Sequence, residues 1–155
     1  MNIKLIDYKN YTGIYFKFEQ DGKIKIYNAY NHYLIYQGGF IKGERNGKGK
    51  EYDSFYKQLI YEGEYLNGER NGEGKEYNKG GILIFEGKFL KGKRWEGVFK
   101  KYYFNFSLKA EGEYKYGKKE GHVVKYFFDY TNSKIAGNGG IKFMGEYLNG
   151  KKWNG

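Results

Sequence analysis

The stretch Tyr61-Glu-Gly63-Glu-Tyr65-Leu-Asn-Gly68-Glu-Arg-Asn-Gly72-Glu-Gly74-Lys-Glu-Tyr77 decides the fold, because it recurs along most of the chain. Upstream it reads Tyr36-Gln-Gly38-Gly-Phe40-Ile-Lys-Gly43-Glu-Arg-Asn-Gly47-Lys-Gly49-Lys-Glu-Tyr52. Downstream come Phe85-Glu-Gly87-Lys-Phe89-Leu-Lys-Gly92, Ala110-Glu-Gly112-Glu-Tyr114-Lys-Tyr-Gly117 and Phe143-Met-Gly145-Glu-Tyr147-Leu-Asn-Gly150. With Tyr11-Thr-Gly13-Ile-Tyr15, the anchor glycines 13, 38, 63, 87, 112 and 145 are spaced 25, 25, 24, 25 and 33 residues apart. A fixed period in this range means a repeat array, not a compact enzyme domain.

Each unit opens with aromatic-x-Gly-x-aromatic, whose period of two suits a strand. Tyr61, Gly63 and Tyr65 then point to one face, and Glu62, Glu64 and Leu66 to the other. The run Asn67-Gly68-Glu-Arg-Asn71-Gly72 supplies turn residues tolerant of positive φ. Glu73 to Tyr77 forms the returning strand. Every repeat is thus a β-hairpin that needs its neighbours to complete its burial. The expected fold is all-β, an elongated single layer of stacked antiparallel hairpins. Residues 1–155 form one repeat array, with 1–32 a degenerate N-terminal cap and 33–155 the regular repeats, the last incomplete. The cap lacks the turn glycine, since Phe18 aligns with Gly43. The longer spacing before Gly145 is assigned to a surface loop over 129–140. The chain stops at Gly155, where a second strand is due, so either a longer natural chain or an open C-terminal edge for a partner protein to pair with is expected.

Composition agrees. The chain of 155 residues has 25 Gly, 19 Tyr and 12 Phe, without Pro or Cys. Aromatic rings must therefore provide most of the burial, lying over backbone bared by glycine. Without Cys, neither a disulfide framework nor a thiolate metal site is available. No apolar run reaches the ~20 residues of a membrane helix, and no signal-peptide pattern begins the chain, which is read as cytoplasmic. The formal charge of +10 is uneven: residues 91–155 carry 14 Lys/Arg against 6 Asp/Glu. That half favours an anionic partner.

The units resemble the MORN (membrane occupation and recognition nexus) repeat, roughly Tyr-x-Gly-x-aromatic-x-x-Gly-x-x-x-Gly-x-Gly. Residues 36–49 and 61–74 match throughout, and weaker copies extend the likeness over about 11–155. The resemblance implies single-layer stacked hairpins and a non-catalytic role in scaffolding, protein association or attachment near membranes. Similar proteins work in cytoskeletal and ciliary assemblies, at membrane junctions and beside kinase or methyltransferase domains.

Chemistry-bearing groups are few. His32 and His122 stand about 90 residues apart, outside any catalytic pattern. Gly43-Glu-Arg-Asn-Gly47-Lys-Gly49-Lys50 has the wrong spacing for a phosphate loop, and turn glycines account for it. Glu62, Glu64, Glu86, Glu111, Glu113 and Glu146 read as a solvated cross-strand charge ladder rather than catalytic pairs. No catalytic residue, cofactor or metal is expected. The sharpest candidates for contact with a protein or lipid are the two Trp turns, Lys93-Arg94-Trp95 and Lys151-Lys152-Trp153. In the third and last copies these turns are one residue longer than the others by glycine spacing. The competing reading has each indole folded back over its own turn. Nucleic acid is the least favoured partner, because Arg is scarce, 3 against 25 Lys.

Overall fold

A computed structural model describes residues 13–19, 21–128 and 140–153. Tyr11, the loop residues 129–139 and Gly155 lie outside them. Twelve strands pair in sequence order into one antiparallel sheet. They are β1 (Ile14–Phe18), β2 (Lys23–Asn28), β3 (Leu34–Ile41), β4 (Glu44–Tyr52), β5 (Leu59–Leu66) and β6 (Glu69–Tyr77), then β7 (Leu83–Leu90), β8 (Lys93–Tyr102), β9 (Leu108–Lys115), β10 (Lys118–Tyr126), β11 (Ile141–Leu148) and β12 (Lys151–Trp153). At ~4.8 Å per strand the sheet extends on the order of 50 Å across its strands.

The hairpin turns are shorter than the spacing of glycines suggests. Asn67 (φ 49°) and Gly68 (φ 80°) alone connect β5 to β6, and Leu66 pairs directly with Glu69. Two consecutive residues at positive φ make the tight turn whose twist matches its flanking strands. The second glycine, Gly72 (φ 95°), lies inside β6, where the register between Gly63 and Tyr65 slips. It marks a β-bulge, not the end of a turn. In the third copy Gly97 pairs with Gly87, as Gly74 pairs with Gly63. Gly97 is therefore the counterpart of Gly74. The Trp95 hairpin has one residue fewer in its bulge, which corrects the expected longer turn. The first hairpin does have a turn glycine, Gly22 (φ 70°), displaced beyond Phe18 in a wider turn.

The core occupies one face. Tyr36, Tyr61, Phe85 and Phe99 are buried there, joined by Tyr65, Phe89 and Tyr147. Tyr61 lies over the glycine pair of its own hairpin, Gly63 and Gly74. A β-carbon on Gly63 would sit 2.5 Å from the Tyr61 hydroxyl oxygen and 2.6 Å from the Glu73 carbonyl oxygen. The ring over Gly63 and Gly74 thus comes from within their own hairpin. The Tyr61 hydroxyl donates to the Glu64 carbonyl (3.1 Å), and the Tyr36 hydroxyl to that of Gly39 (2.9 Å). A buried hydroxyl is satisfied in each case without leaving the hairpin.

Neighbouring hairpins join through edge-to-face rings. Tyr36–Tyr65, Tyr65–Tyr61, Tyr61–Phe89, Phe89–Phe85, Phe85–Tyr114 and Tyr114–Phe99 form a continuous chain with centroids 5.0–5.9 Å apart. Each such contact contributes about 0.5–1.5 kcal/mol beyond its burial. Turns are tied as well: Gly68, Gly92, Gly117 and Gly150 donate N–H groups to the carbonyls of Arg45, Arg70, Trp95 and Lys119. The opposite face carries the expected charge ladder, with Lys50–Glu62 (3.3 Å), Lys75–Glu86 (3.1 Å), Lys88–Glu96 (3.6 Å) and Lys100–Glu111 (4.0 Å).

Candidate functional site

Over the rings runs a row of cations. Arg45, Arg70, Arg94, Lys119 and Lys152 occupy one repeat position, opposite Phe40, Tyr65, Phe89, Tyr114 and Tyr147. A guanidinium there is aimed across the ring face. Arg45 lies 4.7 Å from the Tyr36 ring centroid, Arg70 4.4 Å from Tyr61 and Arg94 5.1 Å from Phe85. Planar, weakly hydrated guanidinium suits such stacking better than ammonium does.

A second row lies opposite the first ring of each hairpin. Glu51 pairs with Tyr36 across one ladder, and Glu76 with Tyr61. These carboxylates link the arginines into one network: Arg45–Glu51 (3.6 Å), Glu51–Arg70 (2.9 Å), Arg70–Glu76 (3.7 Å) and Glu76–Arg94 (2.7 Å). The Tyr65 hydroxyl also donates to Glu51. Burial works to raise the Glu51 carboxyl, but Arg70 and Arg45 outweigh it and hold it below the usual range. Burial pushes the Tyr36 hydroxyl up to about 12, and burial with Glu51 raises Tyr65 further.

Beyond Arg94 the pattern changes. Phe99 takes the place of Glu76 opposite the first ring, and Lys125 takes it in the following hairpin, opposite Ala110. Lys101 faces Ala110 from β8, as Glu76 faces Phe85 from β6. Lys119 lies 4.9 Å from the Phe99 ring and 5.9 Å from Tyr147, and Lys152 lies 4.2 Å from Phe143. Lys125 donates to the Tyr147 hydroxyl (2.7 Å). Among the described residues none of these four lysines has a carboxylate within ion-pair distance. Burial lowers Lys119 from the ordinary lysine range, with Lys101, Lys125 and Arg94 adding to the effect.

The Trp turns do not behave as a pair. Trp95 is half-buried, edge-on to Tyr116 at 6.0 Å and against Gly117, so it covers the next hairpin's turn rather than its own. Arg94 is held between Glu76 and Phe85. Lys93, Lys151, Lys152 and Trp153 are exposed. His122 places Nδ1 3.6 Å from Glu146, and His32 stands edge-on to Tyr15. Among the described residues no group of three or more His, Asp or Glu is placed to hold a metal ion.

Two features escaped the sequence reading. The Arg–Glu network was recoverable, since all three arginines stand at one repeat position. The other is the edge carrying the loops between hairpins. There Tyr30 (83% exposed), Phe55 (76%), Phe104 (86%) and Phe106 (63%) face solvent. The loops concerned have five or six residues each, and Tyr30 and Phe55 stand 25 positions apart, so the signal for them was as periodic as that of the anchor glycines. No curated protein matches the chain. The family model of the MORN repeat matches residues 36–54, 61–82 and 111–131. The matches fall on the β3–β4, β5–β6 and β9–β10 hairpins of the register just described, and these three units are MORN repeats.

Proposed function

We propose that this chain is a non-catalytic scaffold that docks a partner protein along its ring face. The observation carrying this reading is the row of cations over aromatic rings, repeated from Arg45 to Lys152 at positions set by backbone pairing. Arg and Tyr at fixed spacing are the residue types that concentrate binding energy in protein interfaces. A sheet whose turns at Gly68, Gly92, Gly117 and Gly150 are each tied to the preceding hairpin presents them with little ordering cost. A photo-crosslinking residue at Lys119, on the ring face, should capture one defined protein in cells, whereas one at Lys75 on the opposite face should not. Equal capture from both faces, or none from Lys119, overturns the reading.

A second reading, peripheral attachment to anionic membranes, draws support from the loop edge. Exposed Tyr30, Phe55, Phe104 and Phe106 stand there with Lys57 and Lys79, an aromatic and cationic mixture suited to a bilayer interface. Trp153 is exposed at the opposite edge, in the more basic half of the chain. This reading predicts flotation with anionic but not neutral vesicles, weakening as salt rises. Loss on Phe55→Ser with Phe104→Ser assigns the contact to the loop edge, and loss on Trp153→Ala assigns it to the turns.

A further inference from the structure

The ring face carries one row of cations but only half of the matching row of anions. At Arg45, Arg70 and Arg94 the carboxylates of Glu51 and Glu76 complete the pairing, at 3.6, 2.9 and 2.7 Å. Four repeat positions later in the sheet are cationic instead: Lys119 and Lys152 continue the arginine row, while Lys101 and Lys125 stand where Glu51 and Glu76 stood. The glutamates of these hairpins do not compensate. Glu111 and Glu113 flank Gly112 in β9, and Glu120 follows Lys119 in β10, so strand alternation turns them to the opposite face. Glu111 is engaged there by Lys100 and the Tyr126 hydroxyl, and Glu120 by the backbone N–H of Asn149.

On the scaffold reading, we infer that the stretch from Lys101 to Lys152 binds an acidic segment of the partner protein, whose carboxylates take the places that Glu51 and Glu76 fill upstream. The occupant is a peptide rather than a bilayer because of where the cations lie. Lys119 and Lys125 are half-buried against Phe99, Phe143 and Tyr147, within the sheet face rather than on its loop edge. A side chain reaching down among the rings meets them; a flat headgroup layer meets the edges first. Spacing agrees. Lys119 and Lys152 lie two strands apart, as do Lys101 and Lys125, or about 10 Å, which is three residues of an extended chain. From β8 to β12 is about 19 Å, or roughly six extended residues. In a polyproline II segment, which advances about 3.1 Å per residue with about three residues per turn, carboxylates at every third position share one face and fit either row. Lys119, whose proton affinity is lowered first by burial and then by Lys101, Lys125 and Arg94, would gain an opposite charge from such a carboxylate.

The test titrates the full chain with fluorescent hexaglutamate, with hexaglutamine, and with phosphatidylcholine vesicles containing phosphatidylserine. Hexaglutamate should bind and hexaglutamine should not. Lys101→Glu with Lys125→Glu should weaken hexaglutamate binding about tenfold or more by restoring the upstream pattern. Lys48→Glu with Lys75→Glu makes the same change in net charge on the opposite face and should alter binding about twofold or less. Equal weakening by the two pairs would show a response to net charge alone and overturn the inference. Vesicle binding without peptide binding would overturn it too, and would favour the membrane reading. If hexaglutamate fails to bind while crosslinking from Lys119 still captures a protein, the acidic segment is wrong and the scaffold stands. Should the glutamate pair melt the protein, Lys101→Gln with Lys125→Gln is read instead, with weakening again expected and unchanged affinity overturning the proposal.

Discussion

The hairpins between Tyr36 and Arg94 and those between Phe99 and Lys152 share one backbone register but differ in what fills their shared face. In the first region a large ring lies over a pair of glycines, an arginine lies over the ring, and a glutamate holds the arginine. In the second, Ala110 has no ring to offer. Its hairpin's glycine partner is replaced by Val123, which is fully buried, and Phe99 reaches the space from the preceding strand. The second region thus fills its volume with different residues, but the carboxylates are not replaced. Packing tolerates exchange among residues that together conserve volume. A charge pattern has no such freedom, so its interruption points to something outside the hairpins.

The largest effect expected from breaking the comparison is at the glycine pair. Gly63→Val should cost about 3 kcal/mol or more, because the new side chain meets the Glu73 carbonyl and the Gly74 backbone as well as the Tyr61 ring. Glu62→Val, one residue away on the other face, removes contacts with Lys50 and Tyr77 and should cost about 1 kcal/mol. Equal melting temperatures for the two variants would contradict the ring-over-glycine arrangement.

A smaller effect, but a sharper discriminator, follows from putting a ring into the second region. Ala110→Tyr should destabilise by about 2 kcal/mol, since Phe99 and Val123 occupy the space a ring needs. Adding Val123→Gly should recover part of that loss, a coupling that denaturant titration of the two single variants and the double variant would measure. Strict additivity would mean that the two positions do not share one volume.

The mildest test is acid. The Glu51 carboxyl lies below its ordinary value of 4.5 in the folded chain, so its contribution is fully present above 4.5 and is lost as pH falls through the lower folded value. Melting temperature should therefore fall in that acidic window. Glu51→Gln should flatten the fall and lower stability at neutral pH by about 1–2 kcal/mol, because Arg45 and Arg70 lose their shared partner. An unchanged acid profile in that variant would remove Glu51 from the network's energetics.

Much of this architecture was legible because repetition multiplies weak local signals. Tyr61-x-Gly63-x-Tyr65 alone is an ambiguous strand, but five further copies in register make the sheet unambiguous. Turns were less legible. Gly68 and Gly72 both signal positive φ, and composition does not distinguish a turn from a bulge in a strand; only the pairing of Leu66 with Glu69 does. Trp95 and Trp153 looked alike for the same reason, sharing a cation pair and a following glycine. Trp95 has a following hairpin turn to cover, at Tyr116 and Gly117, and Trp153 lies in the last described strand.

The sequence by itself determined the repeat, the hairpin unit, the order of the strands and the face on which rings and glycines lie. All of these follow from period and alternation, which are properties of neighbours along the chain. Only the tertiary structure decided that Tyr61 covers its own glycines, that Glu51 joins two arginines from successive hairpins, and that Lys101, Lys119, Lys125 and Lys152 share one face where none of them pairs with a carboxylate of the described residues. Those relations join residues from 2 to 51 positions apart, and strand register and side-chain direction create them only once the sheet has formed.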